Sequence, residues 1–182
     1  MIYTFRLVSD EADGFMREIQ INSGSTFLDL RNAVCDAVGY DKNQMSSFFI
    51  CEDGWEKGVE ITLEDMGADI SQEVYLMAET ELSDHIEDVG QRLLFVFDYM
   101  TDRCFYMELK KCESGKLDAP VVTRSKGEAP AQTVDLDEFE AKIDTTMAAG
   151  ANFDTGEDFY GSDSYNDDEL DLDNMDISDE YR

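Results

Sequence analysis

The sequence predicts an α+β fold: an antiparallel-rich mixed sheet of about six strands, one N-terminal helix packed on it, a second helix, and a disordered acidic C-terminal tail. Three observations lead there. Alternating, β-rich segments recur in pairs separated by turn residues. Residues 25–39 carry a helical stripe with stop signals at both ends. From Ala148 onward Gly, Ser, Asn and Asp dominate and no periodicity survives. The expected division is an α+β domain over residues 1–147 and a tail over 148–182.

Residues 2–8 and 15–21 alternate, and the Asp13-Gly14 step between them is a hairpin signal. In residues 25–39, Ser25 or Thr26 can cap a helix and Asp29 is placed to complete a capping box. Phe27, Leu30, Val34, Ala37 and Val38 share one helical face, and Gly39 can take the left-handed position that ends the helix. Residues 47–51 read as a buried strand, 62–65 as the cap of a single helical turn, 74–78 as another strand, and 82–89 as a short helix or turn ended by Gly90. Residues 93–97 and 104–109 complete the six strands. Residues 135–147 read as the second helix, with Leu136, Phe139, Ala141 and Ile143 as its apolar positions. The expected core joins Phe5, Leu7, Ile19, Ile21, Leu30, Val34, Phe49, Leu94, Val96, and Tyr106 or Met107.

The densest apolar stretch, LLFVFDYMTDRCFYMELKKCE from Leu93 to Glu113, is broken once, by Asp98-Tyr-Met-Thr-Asp-Arg103. Two aspartates before a cysteine raise the question of a site. Asp and Thr are ordinary turn formers between alternating strands, so the segment is read as a hairpin turn, with Asp102 and Arg103 paired at its rim.

Charge restricts function more sharply than any motif. The chain has 43 acidic and 14 basic residues, a net charge of −29. Residues 154–182 hold twelve acids and one base, Arg182, so removing them leaves −18 for the rest. Direct nucleic-acid binding is disfavoured because phosphate affinity comes mainly from Lys and Arg. An anionic membrane surface is disfavoured on the same ground, and no apolar run approaches the ~20 residues of a spanning helix. The N-terminus lacks a signal-peptide pattern, so a cytoplasmic location with reduced thiols is expected for Cys35, Cys51, Cys104 and Cys112.

The residues that could carry chemistry each have a plainer reading. His85 is the single histidine; it can be drawn against Asp84 or Asp88, but is expected to be a solvated surface side chain. Cys104 and Cys112 are an even number apart and could share a strand face with Cys51 nearby. With no C-x-x-C pair, however, they read as small buried hydrophobes. Asp171, Asp173 and Asp176 resemble part of a calcium loop that lacks its glycine and final glutamate. No catalytic residue, metal site or cofactor is assigned.

The order of several segments is informative: YTFRLVSDEADGFMREIQINSGSTFLDLRNAV, then Gly39-Tyr40, SFFICEDGW, ITLEDM, LLFVFDYMTDRCFYMEL, and Gly127-Glu-Ala-Pro130. In that order, over roughly residues 3–130, the chain resembles the plasmid pRiA4b ORF-3-like family, some members of which are labelled TnpR-type passenger proteins of insertion elements. The resemblance implies a compact α+β fold and no established molecular function. Many members read Tyr-Asp-Phe-Gly-Asp-x-Trp-x-His where this chain has Phe97 to Phe105. Asp98 and an aromatic, Tyr99, are kept. Met100 stands at the glycine position, Arg103 at the tryptophan and Phe105 at the histidine. After Pro130, Ala131 and Gln132 replace the Pro-Glu-Asp and glycines of many members. Any chemistry that used that histidine and those acids has lost its ligands here. The TnpR label would imply a serine recombinase, for which Ser125 between Arg124 and Lys126 is the nearest imitation; an isolated serine on a chain that repels DNA does not carry that reading.

The tail interrupts its acids with apolar residues. Phe153, Phe159, Tyr160 and Tyr165, together with Asp167, Asp168, Glu169, Asp171, Asp173 and Asp176, are the expected partner-binding residues. Acidic segments with spaced aromatics suit folding onto a basic, grooved protein. The expected function is therefore a non-enzymatic acidic interaction protein whose partner is a basic protein within nucleic-acid-handling machinery, or which mimics a nucleic acid. The alternatives are an enzyme with a carboxylate or metal site in the body, and a mobile-element accessory protein.

Overall fold

Two strands with opposite ends of one turn open the chain: β1, Ile2–Val8, and β2, Met16–Asn22, pair antiparallel with Ile2 opposite Asn22 and Val8 opposite Met16. The computed structural model describes residues 1–51, 54–65, 67 and 74–133. The expected helix at 135–147 and the tail, including all ten expected partner-binding residues, lie outside the described residues.

Helix α1, Phe27–Val38, forms where its end signals are written. Thr26 Oγ1 accepts from the Asp29 amide at 3.2 Å and Asp29 Oδ2 accepts from the Thr26 amide at 3.0 Å, the reciprocal capping box. At the other end Gly39 takes φ +75° and donates its N–H to the Cys35 carbonyl at 2.8 Å. Phe27, Leu30 and Val34 are fully buried against the sheet. Arg31, 2% exposed on the same helix, is satisfied by Ser46 Oγ and the carbonyls of Lys42 and Gln44, which ties down the loop that follows.

The remaining strands are β3 (Ser47–Cys51), β4 (Lys57–Thr62), β5 (Tyr75–Leu76), β6 (Arg92–Asp98), β7 (Arg103–Glu113) and β8 (Val121–Lys126), with a 3₁₀ turn at Leu82–Asp84 before β6. They form one mixed sheet in the order β5-β4-β3-β6-β7-β1-β2-β8, antiparallel except for the short β4–β5 pair. The sheet has eight strands where the sequence predicts six. Strand β4 was missed because Gly58 and its charges hide the alternation, and Thr62 ends that strand in place of capping a helical turn. Strand β8 was missed because all six of its residues are exposed, so no apolar period marks it. The strand expected at 74–78 shortens to Tyr75–Leu76.

The core lies between α1 and one face of the sheet. Phe5, Leu7, Ile19, Ile21, Leu30, Val34 and Met107 belong to it as expected, joined by Phe48, Leu93, Phe95, Phe97 and Phe105. Phe49, Leu94, Val96 and Tyr106 do not, although Leu94 and Val96 are buried on the other face of the sheet. Phe49 pairs with Leu94 and Leu94 with Tyr106, which places them on the opposite face from Phe48, Phe95 and Phe105. Residues 48–51 and 93–97 are apolar without interruption, so periodicity could not assign their faces.

Candidate functional site

The turn between β6 and β7 is a turn in the structural sense as well. Asp98 Oδ1 accepts from the Met100 amide at 3.0 Å and Oδ2 from the Thr101 hydroxyl at 2.7 Å, the local bonding that makes Asp a turn former. Asp102 takes the left-handed conformation, φ 53°. The expected Asp102–Arg103 pair is not formed: Asp102 pairs with Lys57, while Arg103 pairs with Glu11 and lies 3.9 Å from Asp98. Arg103 is the next strand's first residue, so its side chain leaves the turn on the other side.

Arg103 also donates to the carbonyls of Ala131 at 2.7 Å and Gln132 at 3.4 Å. Tyr40 donates to the Pro130 carbonyl at 2.7 Å, and Gln132 bonds both backbone groups of Asp41. The segment after β8 is thereby strapped to the sheet end. Gly127 enters it at φ +68°, with Gly14 O and Phe15 Cα only 3.0 Å from where a Cβ would stand, so a side chain there would collide with backbone. Phe105, at the family's histidine position, is fully buried and packs its ring on Phe15, Tyr40 and Phe97 at 5.1, 5.6 and 4.8 Å. Burial holds the Tyr40 phenol well above its ordinary range, with the Arg103 charge opposing. What the resemblance marks as a place for ligands is here a ring stack closed by a guanidinium bonded to Glu11, Ala131 and Gln132.

His85 is half-buried, not fully solvated. Its ring stands edge-on to Tyr75 at 4.7 Å and to Phe27 at 6.3 Å. Asp84 turns its carboxylate to the Glu81 amide, and among the described residues no carboxylate pairs with the imidazole. Asp84, Glu87 and Asp88 line a shallow open cavity beside it.

The cysteines do not converge. Between Thr4 and Phe5 the β1–β7 register slips, because Lys110 is an extra residue bulged from β7. Cys104, before the bulge, faces away from the core, while Cys112, after it, packs against the core. The expectation of a shared strand face fails for that reason. Burial pushes the Cys104 thiol up to about 11, with Asp10 and Asp102 adding to it. Burial also raises Cys35 and Cys51. Among the described residues no group of three or more His, Cys, Asp or Glu side chains is placed to hold a metal.

The sheet face away from α1 holds features that sequence reasoning missed. At one end Trp55 folds back edge-on to Tyr106 at 5.0 Å, with the Arg92 guanidinium 5.1 Å from the indole centre. Beside it Ser47 donates to Glu60 at 2.7 Å and shares a short hydrogen bond with Tyr99. At the other end two bulges act together. The β7 bulge puts Lys110 and Lys111 on one face although they are consecutive. A second bulge, at Thr123 of β8, does the same for Thr123 and Arg124. With Arg6 they line an open polar groove of about 400 Å³ in which Glu18 is the acid, 2.8 Å from Arg6 and 3.8 Å from Arg124. Four of the chain's fourteen basic residues meet here. In the sequence the two lysines are consecutive, which by strand alternation would set them on opposite faces.

The family model for plasmid pRiA4b ORF-3-like proteins matches residues 6–174, nearly the whole chain. The chain belongs to that family. The match runs past residue 130, where the recognisable segments end, and takes in most of the tail. The pRiA4b ORF-3-like fold seen here is also similar to a crystal structure of a protein of unknown function, MM3350 from Methanosarcina mazei Go1. The TM-score is 0.58 at 16% identity, covering 83% of this chain and 84% of that one, so the likeness is one of fold alone. No curated protein matches. For this pRiA4b ORF-3-like chain, Ser125 lies on exposed β8, where alternation turns it away from Arg124 and Lys126. Among the described residues no helix is long and apolar enough to cross a membrane.

Proposed function

We propose that this pRiA4b ORF-3-like protein is a non-enzymatic, cytoplasmic interaction protein. Its body, residues 1–147, is a scaffold, and its tail, 148–182, captures a basic protein of nucleic-acid-handling machinery, including that of mobile elements. The observation that carries the reading is the tail's composition: twelve acids against one base from Asp154 to Arg182, with Phe159, Tyr160, Tyr165 and other apolar residues set among them. Solubility alone would not need the aromatics. Carboxylates steer a basic partner over a Debye length of ~8 Å at physiological salt. The rings then supply apolar contact that salt does not screen. Carboxylates so spaced also suit occupation of a site meant for phosphates, the mimicry form of the same proposal.

Three of the body's arginines are committed to its own backbone. Arg17, Arg31 and Arg103 each bond backbone carbonyls, which is a structural use. The test is capture from native cells by full-length protein and by a chain ending at Phe153. The truncated chain is expected to capture less at low salt. Phe159→Ser with Tyr160→Ser and Tyr165→Ser, all acids kept, is expected to weaken capture at high salt too. Identical partners with identical salt dependence after truncation would reduce the tail to a solubility device.

A further inference from the structure

Strand β8 is the edge of the sheet. It bonds to β2 on one side, and among the described residues nothing pairs with its other side. All six residues are exposed, with Val121 at 46% and Val122 at 42%. A row of unpaired amides and carbonyls of this length is a template for another strand. Natural sheets blunt such edges with proline, bulges or charge. Here Pro120 stands just before the strand, the Thr123 bulge turns toward β2, and the charges are Arg124 and Lys126.

The two sides of this edge differ. Arg124 and Lys126 pair in register with Glu18 and Met16, on the face away from the core. Lys110, Lys111 and Arg6 lie farther across that face, Lys110 paired with Glu108 at 2.7 Å and Arg6 with Glu18 at 2.8 Å. Among the described residues Lys111 makes no ion pair, and Arg124 is 62% exposed with Glu18 at 3.8 Å as its partner. On the other side an open groove of about 310 Å³ runs between β8 and α1, lined by Ile19, Ala33, Pro120 and Val122 and, from α1, by the polar side chains of Asp29, Asn32 and Asp36. A strand laid along β8 sends successive side chains to opposite faces. One set meets the cations, and the other enters the groove beside α1, where Ile19, Ala33, Pro120 and Val122 offer apolar contact and Asp29 and Asp36 disfavour a second row of acids.

We infer that β8 is a docking edge for an extended peptide that alternates acidic and apolar side chains, added as a ninth strand. Backbone hydrogen bonds supply affinity and the two faces supply specificity, as in other cases of strand addition. Charge complementarity selects this occupant over a second copy of β8, because antiparallel self-pairing would set Arg124 and Lys126 of both strands side by side. It goes beyond the proposed capture of a basic protein, since it concerns a different surface and an oppositely charged ligand.

The test uses a labelled synthetic peptide copying residues 167–175, in which Glu169, Asp171 and Asp173 alternate with Leu170 and Leu172. The protein is the full chain carrying Leu170→Ser and Leu172→Ser, so that the probe meets no competitor of its own sequence. The peptide is expected to bind and to slow hydrogen exchange at amides 121–126. Arg124→Glu with Lys126→Glu is expected to slow association of the peptide and to remove its salt dependence, with circular dichroism unchanged. A peptide with lysine at its three alternating acidic positions is expected to prefer that reversed variant, which separates lost charge matching from a damaged fold. Absence of binding, unchanged exchange in β8, or equal binding by a peptide N-methylated at alternate amides would overturn the proposal. Displacement of the peptide by a single-stranded oligonucleotide with the same dependence on Arg124 and Lys126 would also overturn it, making the face a phosphate-binding surface.

Discussion

Arg103 grips Glu11 with two nitrogens: Nη2 lies 2.6 Å from Oε2 and Nε lies 2.9 Å from Oε1. This pair bridges residues 92 apart in sequence and joins the β1–β2 turn to the start of β7. The Arg103 side chain is 11% exposed and that of Glu11 34%, so solvent screens the pair only in part. Arg103→Ala is expected to cost about 2 kcal/mol in urea unfolding, the scale of hydrogen bonds to a charged group, and to speed exchange at amides 131–133. Unchanged exchange there would show that the strap stands without Arg103.

The two faces of the sheet are expected to differ in tolerance. Leu30, fully buried under the sheet, should cost about 2–5 kcal/mol as Leu30→Ala. Phe49, half-exposed on the other face beneath the Lys57 ammonium at 5.0 Å, should cost less as Phe49→Ala. Comparable losses in thermal or urea unfolding would contradict the placement of Phe49 outside the core.

Restoring the family's histidine should harm this chain. Phe105→His sets an imidazole into a ring stack that offers it no assigned partner, at a cost of about 2–4 kcal/mol. Burial lowers the imidazole's pKa below its ordinary ~6.5. The unfolded chain then binds the proton first as pH falls, so the variant's deficit relative to the parent grows below pH ~6.5. Thermal unfolding of both proteins at neutral and mildly acidic pH measures this; a deficit independent of pH would mean that the imidazole reaches solvent.

Cys104 gives a pH signature on the alkaline side. Its thiol is raised from 9.0 to about 11, first by burial. The stabilisation from keeping it neutral is complete below pH 9.0 and is lost as pH rises through about 11. Cys104→Ala should therefore flatten the fall in stability between those limits. Alkylation of Cys104 in the folded protein should likewise need a higher pH than a small free thiol. Rapid alkylation near neutral pH would show that the outer face opens more than its packing with Tyr106 and Trp55 allows.

Much of this protein is written locally. The capping box of Thr26 and Asp29, the Gly39 stop, the Asp13-Gly14 hairpin and the Asp98 turn were legible because each depends on residues within a few positions of one another. The charge partition was legible because it needs no fold at all. Three things needed the tertiary structure. The faces of β3 and β6 were assigned wrongly, with Phe49, Leu94 and Val96 placed in the core, because residues 48–51 and 93–97 are unbroken apolar runs, and only the pairing of Phe48 with Phe95 under α1 orients them. Strand β8 was invisible because an exposed strand takes its shape from its neighbour's hydrogen bonds and not from an apolar period, and β4 because Gly58 and its charges leave Ile61 as its one buried residue. The cationic groove was invisible because alternation predicts that Lys110 and Lys111 point apart. A bulge, created by the register between strands distant in sequence, turns them to the same side.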